Sequence, residues 1–255
     1  MKISAVIALY DEAENIIELI QRLIGVLSTL KVEYEIILIV QGRDGSQELL
    51  QDFKQKTQSQ IKIFYYEEPL GVGLAFKIGF HQISEDVTHV LTMDADLNHR
   101  PEDLPKFFEA LSTEGSDIII GSRYIPGGVM KGVYRWRYIL SKEVNIALSY
   151  LTRLKIKDKS SGYRLQRKRV VVALRDKIKA KNFDFYVDYL IMAQKAGFSM
   201  YEIPIVFIAR TKGHSKMKVL DTLLRYLILI MRRSSVAILA KNLYKKIFNQ
   251  AKDDD

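Results

Sequence analysis

Five short runs of apolar and β-branched residues mark the first half of the chain, at Ile3 to Leu9, Tyr34 to Val40, Ile61 to Tyr66, His89 to Met93 and Asp117 to Ser122. Between them, apolar positions recur at helical spacing. Ile16, Leu19, Ile20, Leu23 and Leu27 do so after the first run, and Leu104, Phe107, Phe108 and Leu111 before the fifth. Short apolar runs alternating with a period near 3.6 predict a βαβ series. A helix crossing between successive strands makes those strands parallel, so the predicted fold class is α/β, a Rossmann-type, mostly parallel sheet. Ligands of such sheets bind beyond the carboxyl ends of the strands. Residues just after Leu9, Val40, Met93 and Ser122 are therefore the first candidates for chemistry.

After Ser122 the pattern changes. The turn-rich Pro126-Gly127-Gly128 leads into a segment in which Leu140, Val144, Ala147, Leu148 and Leu151 share one helical face, with Tyr134, Trp136 and Tyr138 at its entry. A second stripe, Leu220, Leu223, Leu224, Leu227, Ile228 and Met231, is followed by Arg232, Arg233, Lys241, Lys245 and Lys246. Each stripe fits either a core-facing helix or one lying in a membrane interface. The uncharged stretches Tyr226 to Met231 and Ser234 to Ala240 are divided by Arg232 and Arg233, far short of the ~20 residues that span a bilayer. No transmembrane helix is expected.

With 255 residues and 48% hydrophobic content the chain can bury one sizeable core, and it contains no cysteine, which excludes disulfides, thiolate metal sites and cysteine nucleophiles. The start, Met1-Lys2-Ile3-Ser4, has none of the regions of a signal peptide, and a cytoplasmic location is expected. The net charge of +9 is concentrated: Lys131 to Arg169 holds twelve Lys or Arg against Glu143 and Asp158, a net +10. Such a segment suits anionic lipid, a phosphorylated substrate, nucleic acid or only solvent. No nucleic-acid recognition motif accompanies it, and the apolar stripe favours lipid.

The most informative stretch is Leu91-Thr92-Met93-Asp94-Ala95-Asp96-Leu97-Asn98-His99. A strand delivers two carboxylates and a carboxamide at alternate positions, and such oxygens suit Mg²⁺ or Mn²⁺, whose shell a substrate diphosphate completes. An acidic pair after a strand is also common as a loop or cap feature. Its position at the end of the fourth strand, with Arg123 after the fifth, raises the chemical reading.

Asp94-Ala95-Asp96-Leu97-Asn98-His99 resembles the DADLxH motif of the dolichol-phosphate mannose synthases, within the family 2 glycosyltransferases of the GT-A fold. Further segments match in order. Ala8-Leu9-Tyr10-Asp11-Glu12 resembles PxYNE, Leu70-Gly71-Val72-Gly73 the glycine-rich turn, Gly121-Ser122-Arg123-Tyr124 GSRY, and Ser161-Gly162-Tyr163-Arg164 SGFR. Phe185 with Asp188 resembles FxxE, and Glu202-Ile203-Pro204-Ile205 with Arg210, Gly213, Ser215 and Lys216 resembles EVPI followed by RxxGxSK.

The resemblance implies transfer of mannose or glucose from a GDP- or UDP-sugar to dolichyl or polyprenyl phosphate at the cytoplasmic face of a membrane. The alternatives are a glycosyltransferase with another acceptor and a catalytically weak nucleotide- or membrane-binding homologue. A GT-A domain over residues 1–218 would include interfacial helices near 135–154, with residues 219–255 an amphipathic basic segment. Asp94 would approach the nucleotide sugar, and Asp96 and Asn98 would bind Mg²⁺ or Mn²⁺. Ala8, Tyr10, Glu12, Gln41, Arg210 and Lys216 would line the nucleotide site, and Arg123, Arg137 and Ser141 would hold the acceptor phosphate.

The chain departs from the family after the second strand, where VDDxS is replaced by Val40-Gln41-Gly42-Arg43, with Asp44-Gly45-Ser46 following. A carboxylate there pairs with a donor edge of guanine or uracil, whereas Gln41 offers a neutral amide. Another nucleotide, weaker binding and recruitment of Asp44 all remain open. Ala8 and Asp11 also replace the proline and asparagine of PxYNE. His99, beside Arg100-Pro101, reads as a helix-entry residue rather than a base.

Overall fold

The structure, a computed structural model, describes residues 1–210, 212 and 219–233. Gly213, Ser215, Lys216, Lys241, Lys245 and Lys246, named above, lie outside the described residues.

The first half is the expected alternation: β1 (Lys2–Tyr10), α1 (Ala13–Thr29), β2 (Glu33–Gln41), α2 (Ser46–Thr57), β3 (Ile61–Tyr66), α3 (Val72–His81), β4 (His89–Asp94), α4 (Leu104–Glu114) and β5 (Ile118–Ser122). The second half adds β6 (Val129–Lys131), α5 (Arg135–Thr152), β7 (Arg164–Arg167), α6 (Lys168–Leu174), α7 (Asp184–Lys195), β8 (Met200–Pro204), β9 (Val206–Ile208) and α8 (Val219–Arg233). Among the described residues seven strands form one sheet in the order β3-β2-β1-β4-β7-β5-β8, in which β7 alone runs antiparallel to its neighbours. Strands β6 and β9 form a small parallel ribbon beside it.

The buried strands are near-continuous apolar runs because both faces of the sheet are covered. Ile3, Ala5, Ile7 and Leu9 meet the side of α1, whose buried residues include Ile16, Leu19, Ile20, Leu23 and Leu27. Val6, Ile37, Ile39 and Val90 face the other layer, with Phe76, Phe80, Phe185 and Tyr189. The chain leaves β1 towards β2 and β3 on one side and returns to β4 on the other. That reversal opens a crevice above the carboxyl ends of β1 and β4.

The two amphipathic helices turn much of their apolar surface outward. On α5 only Leu148 of the predicted stripe is buried, while Tyr134, Trp136, Ile139, Leu140, Tyr150 and Leu151 are exposed. On α8, Thr222, Tyr226 and Leu229 face the core and Leu224, Leu227 and Met231 face out. The basic segment is also divided. Lys159 and Arg164 are buried, and Arg167 and Arg169 pair with Asp117, so Lys131, Arg135, Arg137, Lys142, Arg153, Lys155 and Lys157 carry its exposed charge.

Gly73, in the first turn of α3, donates its N–H to the Lys181 carbonyl at 2.8 Å, and a Cβ there would strike the Ala180 carbonyl and approach Phe185 Cβ at 2.9 Å. Gly73→Ala is expected to lower the unfolding free energy by about 1–3 kcal/mol through overpacking. Gly25→Ala, in α1 with nothing within 4 Å of its Cβ, is expected to raise it by up to about 1 kcal/mol. Urea unfolding of the two variants reads both signs.

Candidate active site

β4 ends at Asp94, and the chain turns through Leu97, whose φ of +61° aims the following residues back at the strand end. Within this turn Asp96 Oδ1 accepts from the Asn98 backbone N–H at 3.1 Å, and Asp96 Oδ2 accepts from the Asn98 carboxamide at 2.7 Å. His99 is buried, stacks on Tyr163 at 5.2 Å, and accepts the Asp94 N–H on Nδ1 at 3.2 Å. His99 is thereby packed into the turn.

The two carboxylates have different supports. Asp94 is partly exposed and accepts from the Tyr186 hydroxyl at 2.8 Å. Burial and then the Asp94 charge push the Tyr186 phenol well above its ordinary range, so it stays a donor. Behind it the buried Arg164 guanidinium lies 5.5 Å from the Tyr186 ring and donates to the carbonyls of Tyr186, Ser161 and Lys159. Gly162 leaves room for this contact: a Cβ there would stand 2.8 Å from Asp94 Oδ1 and 2.9 Å from the Tyr186 ring. Asp96 is buried, and burial followed by the Asp94 charge raises its carboxyl. Arg210, after β9, offsets part of this by bridging Asp96 Oδ2 and Glu12 Oε1, the latter at 3.4 Å. Glu12 also accepts from the Asn15 amide at 2.7 Å, which fixes it at the entry to α1.

The residues present fit a hard divalent cation. Asn98 Oδ1 is buried and has no hydrogen-bond partner among the described residues, although its amide nitrogen is engaged. An orphaned carboxamide oxygen beside a carboxylate is a donor pair suited to Mg²⁺ or Mn²⁺. Among the described residues no cluster of three His, Asp or Glu has metal-binding geometry, so substrate oxygens would have to complete the shell.

On the other side of the crevice Arg123 is clamped by Asp158. Its Nε and one terminal nitrogen each donate to that carboxylate at 2.7 Å, its backbone N–H donates at 3.0 Å, and Ser160 Oγ accepts at 2.8 Å. Burial alone would raise the Asp158 carboxyl, but the Arg123 charge and hydrogen bonds more than offset this and hold it low. Much of the Arg123 charge is thus matched inside the protein. Ser141 accepts from the Tyr124 hydroxyl at 2.7 Å, whereas Arg137 is exposed and packs on Tyr134 and Trp136 at 5.8 and 5.2 Å. Lys159, buried and pushed down to about 8 by burial, donates to Ser149 Oγ and to the Asn145 carbonyl, tying α5 to this loop.

At the nucleotide side, Ala8 is paired in register with Asp94, leaving small bulk beside the carboxylate. Tyr10 and Asp11 line a cleft of about 520 Å³ with Gly42, Arg43, Asp44, Glu67, Glu68 and Pro69. Gln41 is committed internally, donating to the Leu9 carbonyl at 3.3 Å and accepting from Leu70 N–H at 2.8 Å. Asp44 accepts from Ala13 N–H at 2.8 Å and Ser46 N–H at 3.1 Å. Sequence reasoning missed Tyr186 and Asp158. Tyr186 lies one residue past Phe185 of a matched motif, and Asp158 was one of only two acids in the basic segment.

A mostly parallel sheet with an acid-tipped central strand at its switch point defines a GT-A type fold. Glucosyl-3-phosphoglycerate synthase from Mycobacterium tuberculosis, solved with Mn²⁺ and UDP-glucose, superposes with a TM-score of 0.62 at 18% identity over 91% of this chain and 78% of that one. The same enzyme solved with Mg²⁺ and UDP also gives 0.62. The model of the family described as Glycosyl transferase family 2 matches residues 4–175. The chain belongs to that family and is a glycosyltransferase. It is 30% identical to a polyprenol monophosphomannose synthase of Mycolicibacterium smegmatis, over 83% of this chain and 79% of the relative. It is 34% identical to a dolichol-phosphate mannosyltransferase of Pyrococcus furiosus, over 86% of this chain but 60% of that longer protein.

Asp158→Asn leaves a buried guanidinium undercompensated, and the expected loss of stability is about 3–5 kcal/mol. Because the Asp158 carboxyl is held low, its stabilisation is complete above the ordinary carboxylate pKa and is lost as pH falls through the lowered one. The gap between native and Asp158→Asn unfolding free energies should accordingly be constant near neutrality and narrow in acid, as denaturant titrations at several pH values will show.

Proposed function

We propose that this chain transfers a sugar, mannose first and glucose second, from a GDP- or UDP-sugar to dolichyl or polyprenyl phosphate, with inversion at the anomeric carbon. The observation that carries the reading is the grouping at the end of β4. Asp94 is braced by Tyr186, and Asp96 lies beside the orphaned Asn98 oxygen, in a chain whose α5 and α8 turn apolar residues outward. The names of the mannose-transferring relatives support the same acceptor class.

Breaking the bond from the anomeric carbon to the diphosphate places growing negative charge on the departing phosphate and positive character on the sugar. Asp94, held by a neutral phenol, is positioned to face the sugar as a fixed negative group. Asp96 and Asn98 would hold Mg²⁺ or Mn²⁺, which supplies charge neutralisation at the diphosphate. Arg210, already between Glu12 and Asp96, adds a cation on the nucleotide side. A lipid phosphate has a second pKa near ~6 and is largely dianionic at neutral pH, so no general base is required. Arg137 with its aromatic neighbours suits first capture of that phosphate, and the Tyr124–Ser141 hydroxyl pair lies further in. Arg123, paired to Asp158, serves more to hold the loop than to supply free charge.

Among the described residues no helix is long and apolar enough to cross a membrane. Peripheral membrane binding is supported by the outward Trp136, Tyr150, Leu224 and Leu227 together with the exposed lysines and arginines around α5, and the cytoplasmic face belongs to the same proposal. Each basic residue near an anionic leaflet contributes ~1 kcal/mol.

Two measurements test this. Radiolabelled sugar from a panel of GDP- and UDP-sugars should pass into the organic phase with dolichyl phosphate and Mg²⁺ or Mn²⁺, and Asp96→Ala should abolish it. Transfer only to water-soluble phosphorylated acceptors would replace the acceptor assignment. In flotation with anionic vesicles, the combined Trp136→Ala and Leu224→Ser variant should lose most of its bound fraction, and retention at the native level would remove α5 and α8 from the membrane contact.

A further inference from the structure

Of the 18 residues of α5, Asn145 and Leu148 are buried and Val144 is half-buried. So narrow an apolar seat fixes neither the rotation nor the axial register of a helix, and polar contacts must do so. They fall along one row. Arg137, Ser141, Asn145 and Ser149 are four residues apart, which places them one above another on a single face. Ser141 Oγ accepts from the Tyr124 hydroxyl at 2.7 Å, and the Ser141 carbonyl accepts from the Asn145 amide at 2.9 Å. The same amide donates to Ser160 Oγ at 3.2 Å, which also accepts from Arg123 at 2.8 Å. Lys159 closes the row from outside the helix. It is fully buried, and its backbone N–H donates to Asn145 Oδ1 at 2.8 Å. Its ammonium donates to the Asn145 carbonyl at 3.1 Å, to the Ile156 carbonyl and to Ser149 Oγ.

We propose that Lys159 is a positioning residue for the acceptor: by holding Asn145 and Ser149 against its own loop, it sets the register of α5 and with it the placement of Ser141 and Arg137. This rests on the lipid-phosphate reading above. An ammonium has three N–H donors and meets three acceptors here, all of them neutral. The carboxylates nearby are Asp158, paired with Arg123, and Glu202 of β8, which accepts from the N–H groups of Lys157 and Asp158 at 2.8 and 2.9 Å. Arg164 donates to the Lys159 carbonyl at 3.2 Å. Burial outweighs the attraction of the two carboxylates and pushes the Lys159 amine down to about 8. The charge is therefore held at a cost, and a methionine would fill the same space without it. What lysine provides and methionine does not is three directional bonds between the loop and one face of α5.

The test compares native protein with Lys159→Met and Ser149→Ala, the latter withdrawing one acceptor while leaving the buried ammonium in place. Because the chain has no cysteine, spin labels on Glu109→Cys in α4 and Glu143→Cys in α5 report the placement of α5 by their dipolar distance. Lys159→Met should broaden or shift that distance distribution, and Ser149→Ala should do so to a smaller extent. Lys159→Met should also lower kcat/KM for dolichyl phosphate by about tenfold or more, with calorimetric affinity for the sugar nucleotide within about twofold of native. A role in folding alone would weaken donor binding and acceptor use together. Either of two results would overturn the proposal: a distance distribution unchanged in both variants, or folded Lys159→Met with native kcat/KM for dolichyl phosphate. Should Lys159→Met not fold, native distances and native acceptor kinetics in Ser149→Ala would overturn it equally. Native protein that transfers no sugar to a lipid phosphate would overturn the acceptor reading itself, an outcome that needs no variant to recognise.

Discussion

Two carboxylates on alternate residues at the tip of one buried strand repel each other, and the arrangement around Asp94 and Asp96 is organised by how that repulsion is met. Each is compensated differently. Asp94 keeps access to solvent and accepts a hydrogen bond from the Tyr186 hydroxyl, which fixes its orientation. Asp96 is buried, wrapped by Asn98 and matched by Arg210, which also reaches Glu12. An uncompensated carboxylate at that depth would cost several kcal/mol. The supports come from distant segments: Tyr186 from α7, Arg210 from beyond β9, and Gly162 from the loop before β7. The second half of the chain is thereby locked to the first through the site rather than only through the core.

The same economy governs the cationic side. Part of the +10 segment is matched by the protein itself, with Arg164 and Lys159 buried beneath Tyr186 and α5, and Arg167 and Arg169 paired with Asp117 nearer the surface. Arg123 and Asp158 form a buried pair that joins the end of β5 to the loop after α5. What remains exposed lies on and around α5, which also carries the exposed Trp136 and Tyr150. Apolar residues facing water beside cations make a surface suited to a lipid boundary.

The βαβ half was legible because the two periodicities are clean and both sheet faces are covered. Each of its five strands begins and ends within one residue of its apolar run. The antiparallel β7 was not legible, since Arg164, Leu165, Gln166 and Arg167 carry no apolar alternation and are held by position between β4 and β5. Helical periodicity identified α5 and α8 but could not say which way their stripes turn, because an apolar face looks alike against a core or a bilayer. In the site, Asp94, Asp96 and Asn98 stood out by spacing and motif. Tyr186 and Asp158 did not, as each acts through a partner 92 or 35 residues away, a distance set only by tertiary structure. Gln41 read as a base-facing amide, and the structure instead turns it onto Leu9 and Leu70.

The central claim is that the end of β4 is an incomplete cation site which a nucleoside diphosphate completes. Paramagnetic titration of the native protein with Mn²⁺, with and without GDP, tests it directly. The account predicts weak Mn²⁺ binding alone, tightening by about tenfold or more with the diphosphate, and loss of that coupling in Asn98→Ala. Mn²⁺ affinity indifferent to GDP, or coupling undiminished in Asn98→Ala, would contradict it.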